Sequence, residues 1–128
     1  MLDESASVTV ETLAAIAAAF NRHDLDDIMS YFAEDCVLEM PRGPEPWGSR
    51  LVGLEQVRQG LASRFEGLPD VYYADDRHWV CGDFGVSEWL LIGTTPAGDK
   101  LRVRGCDHWT FRAGKVVKKD SYWKIVEG

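Results

Sequence analysis

Asp107 stands at the centre of a stretch that is otherwise apolar on one side. From Lys100 to Arg112 the residues alternate as a strand does, with Leu101, Val103, Gly105, Asp107, Trp109 and Phe111 on one face. A carboxyl group on a buried face is costly unless a partner pairs with it or a proton neutralises it. Asp107 is therefore either the acid–base group of a site or an ion-paired acid in a core. In a dry cavity, burial favours the neutral acid, which donates a hydrogen bond or serves as a general acid near neutral pH.

What flanks Asp107 depends on strand register. A turn centred on Ala97-Gly98 sets Glu88 opposite it, and two facing carboxyls would share a proton. A three-residue loop in the last hairpin brings Ser121 or Lys119 alongside, and a lysine there ionises Asp107 and removes the neutral donor. Val117, Lys119, Ser121, Trp123 and Ile125 form the more apolar face of their strand and are expected to point inward. Glu39, out of step with Met40, is expected to face solvent or an interface. Cys106 and His108 share the opposite face of their strand, as a nucleophilic thiol–imidazole pair would, but on a face expected to meet a second copy they are read as structural. His23, His78 and His108 show no metal-ligand spacing, so no metal or other cofactor is expected.

These residues need a scaffold to bring them together. Ser7 or Thr9 can cap a first helix carrying Val10, Leu13, Ile16, Ala17 and Phe20 on one stripe. Asp24 caps a second, with Asp26 and Asp27 at its positive dipole end and Leu25, Ile28, Met29 and Phe32 inside. A short strand, Cys36 to Met40, precedes a Pro/Gly loop bearing Trp47. A third helix follows Gly53 and stops at Gly67 and Pro69. Strands are expected at about 71–81, 85–95, 100–112 and 115–126, broken at Gly82-Asp83, Pro96 to Asp99 and Ala113-Gly114. This is one α+β domain over residues 1–128. A curved antiparallel sheet, a four-stranded meander plus one short strand, wraps over three helices into a cone. Such a cone suits a small apolar guest, and the sheet's mixed outer face suits a second copy of the chain.

The totals agree with a globular domain of 128 residues, 45% hydrophobic and 11% aromatic. A net charge of −7 argues against nucleic acid as a partner. Three cysteines cannot all pair internally, which fits reduced thiols in the cytoplasm. Leu13 to Phe20 imitates a signal-peptide core, but Asp3, Glu4 and Glu11 replace its basic flank, and it is too short to span a membrane.

In order along the chain, Asn21-x-x-Asp24-Leu25-Asp26-x-Ile28-x-x-x-Phe32-Ala33-x-Asp35 and Glu39-x-Pro41-x-Gly43 resemble the steroid delta-isomerase branch of the nuclear transport factor 2-like superfamily. Glu88-Trp89-x-x-x-Gly93-Thr94, Asp107-His108-Trp109, Gly114-Lys115-Val116-Val117 and Tyr122-Trp123 resemble its SnoaL-like members. The resemblance implies a conical α+β fold, usually dimeric, around a mostly apolar pocket. It puts the isomerases' neutral aspartic acid on Asp107, their general base on Met40 and their tyrosine on Ile16. A thioether at Met40 cannot take a proton. The carboxylate of the related epoxide hydrolases falls on Ser121, with Asp120 one residue away. Asp107 is thus the expected catalytic residue of an isomerase, cyclase or hydrolase acting on a small apolar carbonyl compound, or part of a non-catalytic binding module. Ile16, Phe20, Met40, Trp47, Glu88, Trp89, Trp109, Lys119, Ser121 and Trp123 are expected to contact the guest, Trp123 as wall and Trp47 as lid.

Overall fold

A computed structural model describes residues 7–127, so Asp3 and Glu4 lie outside the described residues. Thr9, rather than Ser7, caps α1 (Val10–Asn21); its side chain accepts from the Thr12 amide, and Leu13, Ile16, Ala19 and Phe20 are buried. Asp24 caps α2 (Leu25–Ser30) by accepting from the Asp27 amide. The third helix, α3 (Leu54–Gly67), presents Val57, Gly60 and Leu61 to the core. Among the described residues no helix is long and apolar enough to cross a membrane.

Six strands follow the order β2-β1-β6-β5-β4-β3 in one curved sheet. They are β1 (Phe32–Glu39), β2 (Arg50–Val52), β3 (Tyr72–Cys81), β4 (Phe84–Thr94), β5 (Lys100–Arg112) and β6 (Lys115–Trp123). The expected meander is β3 to β6. Two details depart from expectation. A short strand, β2, pairs with β1 beyond the Pro/Gly loop, and β1 runs parallel to β6, so the sheet is not wholly antiparallel. The first strand also starts at Phe32, four residues earlier than its apolar run suggests, and β6 stops at Trp123, leaving Ile125 exposed rather than inward.

Two bulges set which side chains look inward. In β3, Asp75 and Asp76 together oppose Trp89, because Ala74 pairs with Leu90 and Arg77 with Glu88. Asp75 takes a positive φ of 54° there. The alternation shifts by one, so Tyr73 and His78, an odd number of residues apart, both turn into the cone. In β6 the irregularity falls at Val117: Phe111 pairs with Val116 and Thr110 with Lys118. Val116 is consequently the core residue in place of Val117, while Lys119, Ser121 and Trp123 keep the expected inward parity.

Candidate functional site

Asp107 points into the core and is 5% exposed. Its neighbours follow from register. Ser87 on β4 and Ser121 on β6 are its direct cross-strand partners. Lys119, two residues before Ser121, lies on the same face. Its Nζ donates to Asp107 Oδ1 at 2.9 Å and to Ser121 Oγ at 2.8 Å. Ser121 Oγ donates to Asp107 Oδ1 at 2.6 Å, and Trp89 Nε1 donates to Oδ2 at 2.9 Å. With three donors aimed at it, one of them an ammonium, Asp107 is an acceptor-only carboxylate. The neutral hydrogen-bond donor expected at this position is thereby corrected; the lysine alternative holds.

Lys119 is itself 6% exposed, and its ammonium lies over the rings of Phe20 (5.4 Å) and Trp109 (5.5 Å). A second hydrogen-bonded chain starts beside it. Trp109 Nε1 donates to Ser87 Oγ at 3.0 Å, which leaves the Ser87 hydroxyl proton for His78 Nδ1, 2.8 Å away. His78 Nε2 then carries the ring proton and donates to Asp76 Oδ2 at 2.7 Å. The chain runs from the buried Ser87 to Asp76 at the surface. Asp76 and His78, two residues apart, share a strand face by simple alternation. What the one-dimensional pattern does not show is that the β3 bulge turns His78 inward to Ser87 although Tyr73, of the other parity, is also inward. Ser87 and Tyr73 were reachable only through strand parity. Burial pushes the Tyr73 hydroxyl far above its ordinary range, against the opposing pull of the Arg64 guanidinium.

The inside of the cone is nearly full. Phe20, Tyr73, Trp89 and Trp109 close around a void of about 20 Å³ beside Asp107, Ser87 and Lys119, room for about one water. A second void of about 10 Å³ touches Tyr73, Trp89, Lys119 and Ser121 on one side and Met40, Arg64 and Trp123 on the other. Beyond it an open cleft of about 1030 Å³ lies between α3 and the sheet, walled by Met40, Leu51, Arg64, Leu101 and Trp123. Cleft, neck and inner void thus lie in sequence, with Met40, Gly60, Arg64 and Trp123 shared by the first two.

Several expected residues lie elsewhere. Glu88 pairs with Cys106, one position away from the register that would face Asp107, and its carboxylate bonds to Arg77 and Arg104. Trp47 is exposed, touches neither void nor cleft wall, and has Arg50 over its ring at 4.5 Å, so it is no lid here. Ile16 is fully buried packing that does not line the inner void; Ala17 and Phe20 represent α1 there. Glu39 is 3% exposed, not solvent-facing, because Arg50 (2.7 Å) and Lys118 (3.3 Å) enclose its carboxylate. Cys106 and His108 do lie on the outer side, His108 tilted against Tyr122 at 4.8 Å. Burial, with Asp107 and Glu88 nearby, raises the Cys106 thiol above its ordinary value.

No curated protein matches the sequence. Solved structures do. One described as a candidate polyketide cyclase from Pseudomonas putida KT2440 aligns with a TM-score of 0.81 at 17% identity, over 91% of each chain. TerC, crystallised with polyporic acid, aligns at 0.74 and 22% identity over 90% of each chain. A hypothetical protein with a ketosteroid isomerase-like fold from Catenulispora acidiphila DSM 44928, in complex with trimethylamine, aligns at 0.77 and 18% identity, over 92% of this chain and 88% of that one. At these identities the likeness is one of fold. Residues 13–119 match the SnoaL-like domain family, and the chain belongs to it.

Proposed function

We propose that the chain binds a small apolar carbonyl compound at the cleft and moves a proton on it, as an isomerase, cyclase or hydrolase would. The observation that supports this reading is the Asp107–Lys119 pair. Acid and lysine are rarely both buried; here Lys119 borders both the neck and the inner void, and Asp107 borders the inner void. Lys119 would polarise the carbonyl oxygen and stabilise the enolate charge that develops on it. Asp107 would hold the ammonium in place and accept the proton from the adjacent carbon. Such chemistry is in keeping with neighbours described as cyclase and isomerase-like, though those names belong to other proteins.

Deuterium uptake tests it. In heavy water, 2-tetralone should exchange its benzylic protons faster with the protein than in buffer, and Asp107→Asn and Lys119→Met should each lower that rate by about 100-fold or more. Folding of both variants is checked by circular dichroism, with Lys119→Arg as the milder change. Exchange at the buffer rate, or variants as fast as the parent, would sink the catalytic reading. One observation favours a binding role without turnover: the inner void of about 20 Å³ admits water and not a guest. Binding of 2-tetralone with no exchange is the outcome that selects it.

The outer sheet face is proposed as the seat of a second copy. Trp79, Phe84 and Tyr122 are exposed there, aromatic rings that a partner surface would cover. Light scattering after Phe84→Glu should read a monomer where the parent reads a dimer; a monomeric parent would refute it. Three cysteines without disulfides are in keeping with a reducing cytosol.

A further inference from the structure

We propose that the guest of the cleft is a planar aromatic anion, its charged oxygen held by Arg64 and its ring laid along Trp123. The inference rests on the reading that the cleft is the binding site, and it adds a charged oxygen to the otherwise apolar compound. The chain carries −7 overall, yet the cleft wall contains Arg42 and Arg64 and no aspartate or glutamate. Charges elsewhere on the surface are screened over about 8 Å at physiological salt, so the local pair of arginines governs what enters.

Arg64 is set apart from most other arginines. Six of the nine lie within 4.0 Å of a carboxylate: Arg22, Arg50, Arg58, Arg77, Arg104 and Arg112. Among the described residues, neither Arg42 nor Arg64 has such a partner. Arg64 is half-buried, and its guanidinium lies 4.5 Å over the Trp123 ring, which fixes the plane; the Tyr73 hydroxyl lies near it, and among the described residues no carboxylate meets its N–H edges. A half-buried guanidinium without a carboxylate is an incomplete ion pair, and a bidentate oxyanion completes it. Met40, Leu51 and Leu101 supply the apolar wall for the rest of the molecule. Arg64 also lines the neck together with Lys119, so an anion seated on it lies at the junction of cleft and neck.

Calorimetry with 2-naphthoate and its neutral isostere 2-naphthamide tests the assignment on the full-length chain. Naphthoate should bind at least about tenfold tighter than the amide at physiological salt. Arg64→Met should bring that ratio close to one by weakening naphthoate more than the amide, and Arg64→Lys should keep part of the preference. Thermal unfolding confirms that each variant is folded. Equal affinities in the parent, a preference that survives Arg64→Met, or failure of both compounds to bind would overturn the proposal. Because the readout is binding, a protein that prefers naphthoate but exchanges no ketone proton upholds this inference and refutes turnover.

Discussion

Asp107 and Lys119 face each other across β5 and β6 with Oδ1 and Nζ 2.9 Å apart, each side chain less than a tenth exposed. Neither ion reaches bulk water, so each depends on the other. Lys119→Met strands a buried carboxylate and should cost about 3–5 kcal/mol in urea unfolding. Replacing both, Asp107→Leu with Lys119→Met, should recover most of that loss, since a packed apolar pair of like volume is often neutral or stabilising. Additive losses in the double variant would mean the two side chains are not coupled.

The Trp89 indole reaches Asp107 only because residue 105 has no side chain. A Cβ at Gly105 would lie 2.6 Å from Trp89 Cη2 and would also meet the Tyr122 carbonyl oxygen, a backbone atom that cannot swing aside. Gly105→Ala should therefore destabilise by about 1–3 kcal/mol, as overpacking does. The Trp89 indole N–H resonance should move with it, reporting the altered bond to Asp107. A stable variant with an unmoved resonance would show that the strands spread at no cost.

Much of this arrangement was legible before any coordinates. Alternation along β5 put Asp107 among inward residues, and the turns at Gly82-Asp83 and Ala113-Gly114 lie where the hairpins close. Thr9 and Asp24 cap helices as short polar side chains do. Register was not legible. Thr94 pairs with Lys100, and this sets Ser87 opposite Asp107; a slip of one residue would have set Glu88 there. The parallel contact of β1 with β6 joins segments about eighty residues apart, and local pattern carries no trace of it. The filled cone was equally hidden, because it depends on how Trp89, Trp109 and Tyr73 nest together in space.

Glu88 illustrates the cost of that one-residue slip, and its titration checks it. Arg77 foremost, then Arg104, hold its carboxyl below the ordinary glutamate value. A folded-state value lower than the unfolded one adds stability that is fully present above the unfolded value, near about 4.3. That contribution fades as pH falls through the folded value. Glu88→Gln should therefore flatten the acid limb of the stability profile, and added salt should shrink the difference. Guest binding at the cleft should not change. An unaltered acid limb would mean that the two arginines give Glu88 no preferential hold.

The Asp76–His78–Ser87 chain makes a spectroscopic prediction free of any assumption about turnover. Trp109 already donates to Ser87 Oγ, so the serine proton goes to His78 Nδ1 and the ring proton sits on Nε2 toward Asp76. Nitrogen-15 spectra of the imidazole should show that single tautomer. Ser87→Ala removes the donor to Nδ1 and leaves the buried Trp109 N–H without an acceptor, which should cost about 1–3 kcal/mol and mix the two tautomers. Asp76→Asn should cost less, because the acid is partly open to water and solvent can replace it. A parent imidazole protonated on Nδ1 would reverse the His78–Ser87 donor and leave Nε2 with no proton to give Asp76. Ser87 would then have to accept from both Trp109 and His78, and its own proton would be left facing the inner void.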